Sequence, residues 1–231
     1  DPWRDFIPWG DSRSTRAGVL TLADGGAMFI KRYNNRGLRH ALRYLFRRAK
    51  PFRAWAAAWV CEQHGVPTPR PCAVVAERRA GLLHRAWLVT EAVTEAVPTL
   101  RYAEQLLHQP RLREDFVNQS CRLLAAMHAA GVRHGDPKLS NIYACRTTAG
   151  FRYGVWDLDG AVLEQAPLPD SARLADLART AASLVDIAAR LGRALRPETQ
   201  ADAFCAAYAA AAGQAPDRTA LLPAMWRHLR R

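Results

Sequence analysis

A short polar run in the second half of the chain combines the residue types that phosphoryl transfer needs. It follows the pattern His-x-Asp-x-Lys-x-x-Asn, which begins at His134 and includes Asp136, Lys138 and Asn141. A second carboxylate, Asp157, follows further along the chain within the sequence VWDLDG. This combination of carboxylates, an ammonium group and an amide predicts a site that binds phosphate and a metal ion.

Each of these side chains has a role available in phosphoryl transfer to an alcohol. A carboxylate must orient the attacking hydroxyl and take its proton, and we assign that role to Asp136. The transferred group is anionic, and the ammonium of Lys138 can meet its oxygens. Magnesium prefers oxygen ligands, which Asn141 and Asp157 can supply. Lys31, in a strand-like run near the N-terminus, is expected to reach the α- and β-phosphates of a nucleotide.

Lysine usage supports this interpretation independently. The chain contains 33 lysines and arginines, but its only lysines are Lys31, Lys50 and Lys138. Two of the three therefore lie where a phosphotransferase needs a compact ammonium rather than a guanidinium fork. The competing interpretation is that the polar residues of the motif are ordinary turn formers between a helix and a strand.

The composition limits the classes of protein to which the chain can belong. With 231 residues, 49% of them hydrophobic, it is long enough to bury a core. The formal net charge of +12 predicts an anionic partner, and nucleic acid is not expected because no nucleic-acid-binding motif is present. The longest apolar run, 54–61, is too short to span a membrane. Five scattered cysteines without a Cys-x-x-Cys pair disfavour a disulfide scaffold and fit a reducing cytoplasm.

Hydrophobic periodicity predicts an α+β protein with a mixed N-terminal half and a mostly helical C-terminal half. The boundary is expected within 90–93, which gives a domain of residues 1–91 and a second domain of residues 92–231. The predicted strands are 18–22, 27–33, 72–76, 86–90, 141–145 and 153–156, and the predicted helices are 37–49, 51–64, 114–130, 170–191, 197–213 and 217–229.

Six short stretches of the chain match a known pattern: 29–33 (FIKRY), 65–71 (GVPTPRP), 86–91 (AWLVTE), 134–141 (HGDPKLSN), 155–159 (VWDLD) and 176–178 (DLA). Together they resemble the protein-kinase-like superfamily, and within it the bacterial lipopolysaccharide core kinases of the Kdo/WaaP family. The resemblance implies a bilobal fold and a kinase that uses ATP and Mg²⁺ to phosphorylate a heptose or Kdo hydroxyl of a lipopolysaccharide core precursor. Because residues 90–93 join the two halves, their backbone, at Glu91 and Val93, is expected to pair with the adenine ring; the alternative is a plain linker.

The chain departs from protein kinases at three places. It lacks a Gly-x-Gly-x-x-Gly loop, and we expect the small polar run 12–15 to cover the nucleotide. No glutamate lies in 54–59 to pair with the strand lysine; Glu62 is the nearest candidate, with a solvated helix end as its alternative. No Ala-Pro-Glu segment follows Asp157, which leaves little room for a loop that binds a polypeptide. A small-molecule or glycolipid acceptor is therefore predicted.

Two further acids have modest roles in this interpretation. Asp159 is either a second metal ligand or a turn residue beside Gly160. Asp176, in the first turns of a predicted helix, is expected to be a structural partner of the backbone of the His-x-Asp motif.

Two other functions stay open at this stage. One is a soluble phosphotransferase of the aminoglycoside or choline kinase type, which the scarcity of acids near the motif disfavours. The other is a non-catalytic binding module with a kinase fold, which the complete set of chemical residues disfavours. The basic segment 36–53 is expected to dock the enzyme on an anionic membrane surface, at the inner face of the bacterial inner membrane, or to be only a solvated arginine face. The sequence leaves the oligomeric state open.

Overall fold

The computed structural model describes residues 15–34, 37, 44 and 49–230, together with the backbone of residues 6–11. Most of the predicted helix 37–49, of the basic segment 36–53 and of the polar run 12–15 lies outside the described residues. The chain divides into two compact units, Asp1–Trp59 with Pro69–Thr94 and Val60–Thr68 with Glu95–Arg231.

The first unit is built on a five-stranded antiparallel sheet. Its strands are β1 (Phe6–Asp11), β2 (Thr15–Thr21), β3 (Ala27–Asn34), β4 (Pro71–Arg79) and β5 (Leu82–Glu91), in the spatial order β1-β2-β3-β5-β4. Lys31 lies in the central strand β3, where its backbone faces Ala17 on one side and Leu88 on the other.

Tight turns fix the register of this sheet. Between β2 and β3, the carboxylate of Asp24 accepts a hydrogen bond of 2.9 Å from the backbone N–H of Gly26. Between β4 and β5, Ala80 and Gly81 both have positive φ angles, of 47° and 78°. Two positive φ angles in a two-residue loop match the twist of an antiparallel hairpin.

One described helix, α1 (Lys50–Gln63), contributes to both units. Its small residues Ala54, Ala57 and Ala58 recur at helical spacing and are buried. The helix ends at Gln63 and is followed closely by Gly65, which has a φ of +68° and donates its N–H to the carbonyl oxygen of Glu62. A glycine in this conformation is a common helix stop, and it confirms the predicted end of the helix.

The second unit combines two small sheets with a helical bundle. One sheet has the order β6-β8-β9, and the other pairs β10 with β7. The strands are β6 (Ala96–Pro98), β7 (Val132–Arg133), β8 (Ile142–Thr147), β9 (Gly150–Val155) and β10 (Val162–Leu163), and the helices are α2 (Ala103–His108), α3 (Pro110–Ala129), α4 (Asp170–Arg190), α5 (Pro197–Ala212) and α6 (Arg218–Leu229).

The core of this unit lies among helices α3 to α6. Large side chains from different helices are almost completely buried there, among them Leu124, Met127, Leu177, Phe204 and Leu221. Burial of several such side chains is the main stabilising contribution to a unit of this size. The α+β fold class, with an antiparallel sheet in the N-terminal region and helices in the C-terminal part, is therefore confirmed.

Some boundaries differ from those predicted. Helix α3 begins at Pro110 rather than at residue 114, because a proline is well accommodated in the first helical turn. Helix α2 and the short strands β6, β7 and β10 were not predicted, since such short segments show little periodicity. Within the described residues, no helix is both long and apolar enough to cross a membrane.

Strand β9 leads directly to the acidic run 155–160 and is held in place by close packing. The backbone N–H of Val155 donates to the carbonyl oxygen of Pro67 at 2.9 Å. A Cβ atom at Gly154 would lie 2.3 Å from the ring of Tyr143 and 2.6 Å from the same carbonyl oxygen. Only glycine allows this approach.

We expect Gly154→Ala to lower the free energy of unfolding by about 1 to 3 kcal/mol, because the added methyl group overlaps the ring and the carbonyl oxygen. Urea denaturation measures the difference. Gly160→Ala is the control, since the nearest neighbours of its Cβ would lie at 3.4 Å or more. Equal stability of the two variants would contradict this account of β9.

Candidate active site

Helix α4 holds the loop that contains the His-x-Asp-x-Lys-x-x-Asn motif, residues 134–141, here called the motif loop. Asp176 is buried, and its two carboxylate oxygens accept hydrogen bonds from the N–H groups of His134 at 2.7 Å and Gly135 at 2.9 Å. The carboxylate thus satisfies two backbone donors at the start of the loop. The predicted structural role of Asp176 is confirmed.

Two hydroxyl groups on the same face of α4 hold the rest of the loop. Thr180 donates to the carbonyl oxygen of Pro137 at 2.7 Å, and Ser183 accepts from the N–H of Leu139 at 3.2 Å. Residues four and seven positions after Asp176 lie on one side of a helix. A single helical face therefore fixes the main chain along most of the motif loop.

Asp176 is itself anchored by two other helices. The Nε2 atom of His128, on α3, lies 3.3 Å from Asp176 Oδ2, and its Nδ1 atom lies 2.8 Å from the hydroxyl of Tyr208 on α5. All three side chains are buried. Burial raises the pKa of Tyr208, so the phenol keeps its proton. This buried chain of side chains ties the motif loop to three helices.

The motif loop also meets the acidic run closely. Gly135 has a φ of +85°, and a Cβ atom there would lie 2.4 Å from the carbonyl oxygen of Gly160. Both the backbone conformation and the lack of space require glycine at this position. The contact places the segment that carries Asp157 and Asp159 beside the loop that carries Asp136.

Asp136 lies at the centre of the charged groups of the loop. Its Oδ1 atom accepts a hydrogen bond of 2.6 Å from Nε of Arg179, and its Oδ2 atom lies 3.1 Å from Nζ of Lys138. The side-chain amide of Asn141 donates to the carbonyl oxygen of Asp136 at 2.9 Å and lies 3.3 Å from Oδ2. The carboxylate is partly exposed and can be reached from solvent.

Neighbouring charges favour an ionised Asp136, whereas burial favours a neutral His134. Partial burial acts to raise the pKa of Asp136, but the hydrogen bonds and charges of Arg179 and Lys138 outweigh it and lower the pKa overall. Burial lowers the pKa of His134 despite the nearby carboxylates, of which Asp176 has the strongest effect. Nδ1 of His134 accepts from the N–H of Asp136 at 3.4 Å.

The two predicted metal ligands are brought together by β8 and β9. The N–H of Trp156 donates to the carbonyl oxygen of Asn141 at 3.1 Å, and its indole N–H donates to the carbonyl oxygen of Ser140 at 2.8 Å. Asp157 follows immediately and is exposed, with a φ of +57° and a ψ of +54°. This left-handed conformation is costly for a residue with a Cβ and occurs often at functional sites.

Asn141 and Asp157 have the chemistry of a magnesium site. The side-chain nitrogen of Asn141 donates to Asp136, so the side-chain oxygen, Oδ1, is the atom that a cation would use. The Ser140 hydroxyl lies 3.3 Å from Asn141 Oδ1. An amide oxygen and a carboxylate suit Mg²⁺, which takes few protein ligands and completes its coordination with phosphates and water. Asp159 lies in the short 3-10 turn Leu158–Gly160, so the structure is compatible with both of its predicted roles.

The predicted nucleotide-binding residues belong to the first unit. The ammonium of Lys31 lies 5.5 Å from the centre of the Tyr33 ring. Glu91 ends β5, where its N–H donates to the carbonyl oxygen of Arg70, and Val93 follows two residues later. Glu62 lies in the last turn of α1. The structure thus brings Asp136, Lys138, Asn141 and Asp157 together in the second unit, while Lys31, Glu91 and Val93 lie in the first.

Sequence reasoning missed Arg179, although its Nε atom makes the shortest contact to Asp136. A signal for it exists in the sequence, because Arg179 follows Asp176 by three positions and Asp176 was expected to face the motif loop. Residues three apart on a helix share a face, so both side chains point to the same loop.

Comparison with solved structures finds the same fold in known proteins. A structure described as WaaP in complex with acyl carrier protein superposes with a TM-score of 0.68 at 22% sequence identity, covering 96% of this chain and 87% of that one. A glucosamine kinase structure superposes with a TM-score of 0.53 at 15% identity, covering 97% of this chain and 85% of that one. At these identities the similarity shows the fold. A search of curated protein sequences gave no match.

The family follows from the sequence itself. Residues 10–208 match the family model described as the lipopolysaccharide kinase (Kdo/WaaP) family, and this covers most of the chain. The chain belongs to the lipopolysaccharide kinase (Kdo/WaaP) family. The prediction of a phosphotransferase with an alcohol group as acceptor is confirmed, and a lipopolysaccharide core kinase is favoured over the two alternatives.

We expect Asp176→Asn to destabilise the protein by about 2 to 4 kcal/mol and to abolish measurable kinase activity, because an amide cannot accept from both backbone N–H groups and His128. Thermal denaturation and a phosphoryl-transfer assay measure the two effects. Asp186→Asn, on the same helix, is the control, since its exposed pair with Arg190 contributes little. Wild-type stability of Asp176→Asn would contradict the anchoring role.

Proposed function

We propose that this lipopolysaccharide kinase uses ATP and Mg²⁺ to phosphorylate a heptose or Kdo hydroxyl of the lipopolysaccharide inner core. The observation that carries the proposal is the position of Asp136, whose carboxylate is fixed among Lys138, Arg179 and Asn141 on a loop held by a buried helix face. A fixed, ionised and partly exposed carboxylate is what an attacking hydroxyl needs.

In this proposal Asp136 orients the sugar hydroxyl and takes its proton as the new phosphorus–oxygen bond forms. Its low pKa supports the role, because the carboxylate is ionised before the hydroxyl arrives. The hydroxyl becomes more acidic in the transition state, because its oxygen is forming a bond to phosphorus. A weakly basic carboxylate in the correct position is therefore sufficient to accept the proton. Lys138, next to it, contributes positive charge for the oxygens of the transferred group.

Asn141 and Asp157 would hold the magnesium ion, which in phosphoryl transfer neutralises charge on the nucleotide phosphates. The amide oxygen of Asn141 and the exposed carboxylate of Asp157 support this assignment. The backbone at Asp157 is left-handed rather than extended as in β9, and such strained conformations cluster at functional sites, which supports a ligand role.

Lys31, Glu91 and Val93 would bind the nucleotide. Lys31 is placed in a central strand, where paired neighbours on both sides keep its backbone rigid. The N–H groups of Glu91 and Ala92 are bonded within the first unit, to Arg70 and Ala27. The backbone groups that would pair with the adenine ring are therefore the carbonyl oxygen of Glu91 and the N–H of Val93.

The acceptor is an anionic amphiphile, and we propose that the enzyme meets it at the inner face of the bacterial inner membrane. The net charge of +12 supports an anionic partner and an anionic membrane surface. Peripheral attachment through several basic residues needs no membrane-spanning helix.

Asp136→Asn should lower kcat by about 100-fold or more, because the variant cannot accept the hydroxyl proton. Binding of Mg·ATP should stay close to wild type, since Asp136 serves the acceptor. Steady-state kinetics and calorimetry separate the two effects. Asp115→Asn is the control, because the carboxylate of Asp115 accepts from Gln119 on the same helix and lies outside the motif loop. Near-normal turnover of Asp136→Asn would refute the assignment of the base.

Lys31→Ala and Asp157→Ala should each weaken Mg·ATP binding by about tenfold or more, which corresponds to about 1.4 kcal/mol. Both residues are assigned to the charge of the triphosphate, one directly and one through the metal. Calorimetry with and without Mg²⁺ measures the change. Lys50→Ala is the matched control, because Lys50 is exposed at the start of α1. Unchanged affinity in both variants would mean that the nucleotide lies elsewhere.

The acceptor is tested with purified enzyme, labelled ATP and lipopolysaccharide from cells that lack this enzyme. We expect one phosphate per core, located by mass spectrometry on a heptose or Kdo, and no labelling with the Asp136→Asn variant. An aminoglycoside and choline serve as competing acceptors. Faster transfer to either of these compounds than to lipopolysaccharide would overturn the proposed acceptor.

A further inference from the structure

We propose that Arg179 is a positioning residue for phosphoryl transfer, which holds the Asp136 carboxylate in one orientation while Lys138 moves to the transferred group. The inference rests on the proposed function, in which Asp136 is the base. It assigns different tasks to the two cations that contact this carboxylate.

The first argument is the origin of the contact. Arg179 projects from the face of α4 that also carries Asp176 and Thr180, and these two residues fix the backbone on both sides of Asp136. Its Nε atom then binds Oδ1 of Asp136 at 2.6 Å. One rigid helix therefore fixes both the main chain and the side chain of the base, and the carboxylate loses the freedom to rotate about its last side-chain bond.

The second argument is the difference between the two cations. Lys138 lies on the motif loop itself, and its ammonium, a point charge on a flexible chain, lies 3.1 Å from Oδ2. Arg179 is anchored on a packed helix, and its side chain is less exposed than that of Lys138, 26% against 38%. The planar guanidinium loses less freedom per hydrogen bond than an ammonium does. We therefore expect the contact of Arg179 with Asp136 to persist during the reaction. The contact of Lys138 is expected to be exchanged for one with the phosphoryl oxygens.

The two contacts leave a defined path for the proton. The guanidinium of Arg179 has donors only, so it cannot take the proton of the acceptor. The hydroxyl oxygen forms a bond to the terminal phosphorus of ATP, the bond from that phosphorus to the ADP oxygen breaks, and the proton passes to Oδ2 of Asp136. Lys138 leaves Oδ2 for the phosphoryl oxygens, while Arg179 keeps Oδ1 in place.

The test compares Arg179→Gln, Arg179→Lys and the wild type in steady-state transfer to lipopolysaccharide. A misoriented base should lower kcat of Arg179→Gln by about 10- to 100-fold, with the KM values for ATP and acceptor changed by less than about threefold. Arg179→Lys should recover part of the loss, because it restores a cation without the fixed geometry. Arg190→Gln is the matched control, since Arg190 lies on the same helix and pairs with Asp186 at the surface of the protein.

A second measurement separates positioning from folding. In the Asp136→Asn background, Arg179→Gln should cause no further loss of kcat, because the group that it positions is already gone. A structural role would lower the thermal midpoint and reduce activity further in that background. A lower thermal midpoint with further loss of activity in that background would overturn the inference. It would also be overturned by a wild-type kcat in Arg179→Gln, or by a raised KM for the acceptor with unchanged kcat.

Slow hydrolysis of ATP, with water as acceptor, makes the inference independent of the sugar. If wild type does not phosphorylate lipopolysaccharide but its ATP hydrolysis falls about tenfold or more in Arg179→Gln, the proposed acceptor fails and the positioning role stands. If wild type phosphorylates lipopolysaccharide and Arg179→Gln does so equally well, the positioning role fails and the proposed function stands.

Discussion

The second unit depends on one buried carboxylate. Asp176 accepts hydrogen bonds from two consecutive backbone N–H groups of the motif loop and from His128, and it is almost fully excluded from solvent. A buried charge is tolerated only when such partners surround it, so the loop, α3 and α4 must come together in one arrangement. The hydroxyl of Tyr208 extends the constraint to α5. The position of Asp136 follows from this arrangement.

Because its backbone is fixed, the motif loop can hold several charged groups close together. Asp136 and Lys138 are adjacent in space because the backbone between them is fixed by Thr180 and by the turn in which Lys138 N–H donates to the Asp136 carbonyl oxygen. Preorganised charges of this kind need little rearrangement when the substrate arrives, and such preorganisation is usually the largest single contribution to catalysis. The helix that stabilises the fold therefore also prepares the site.

The sequence was sufficient for the residues whose role is set locally. The motif, the acidic run and the end of α1 before Gly65 are recognisable because residue types and spacing alone determine them. The role of Asp176 was also predicted, but Arg179 and the bonds from His128 to Asp176 and Tyr208 were not. Those contacts join residues that are far apart in the chain. Hydrophobic periodicity predicts the helix face on which a side chain lies, but it does not predict which residue that side chain contacts. Boundaries such as that of α3 at Pro110 depend on single capping residues and were off by one turn.

The central claim is that Asp136 is the base of a phosphoryl-transfer site completed by Asn141 and Asp157. The most direct measurement is a crystal structure of this chain with Mg²⁺ and a non-hydrolysable ATP analogue. The account predicts a metal bound by the amide oxygen of Asn141 and the carboxylate of Asp157, a terminal phosphate beside Lys138, and Asp136 still bonded to Arg179. A nucleotide bound away from the motif loop, or a metal that contacts neither Asn141 nor Asp157, would contradict it.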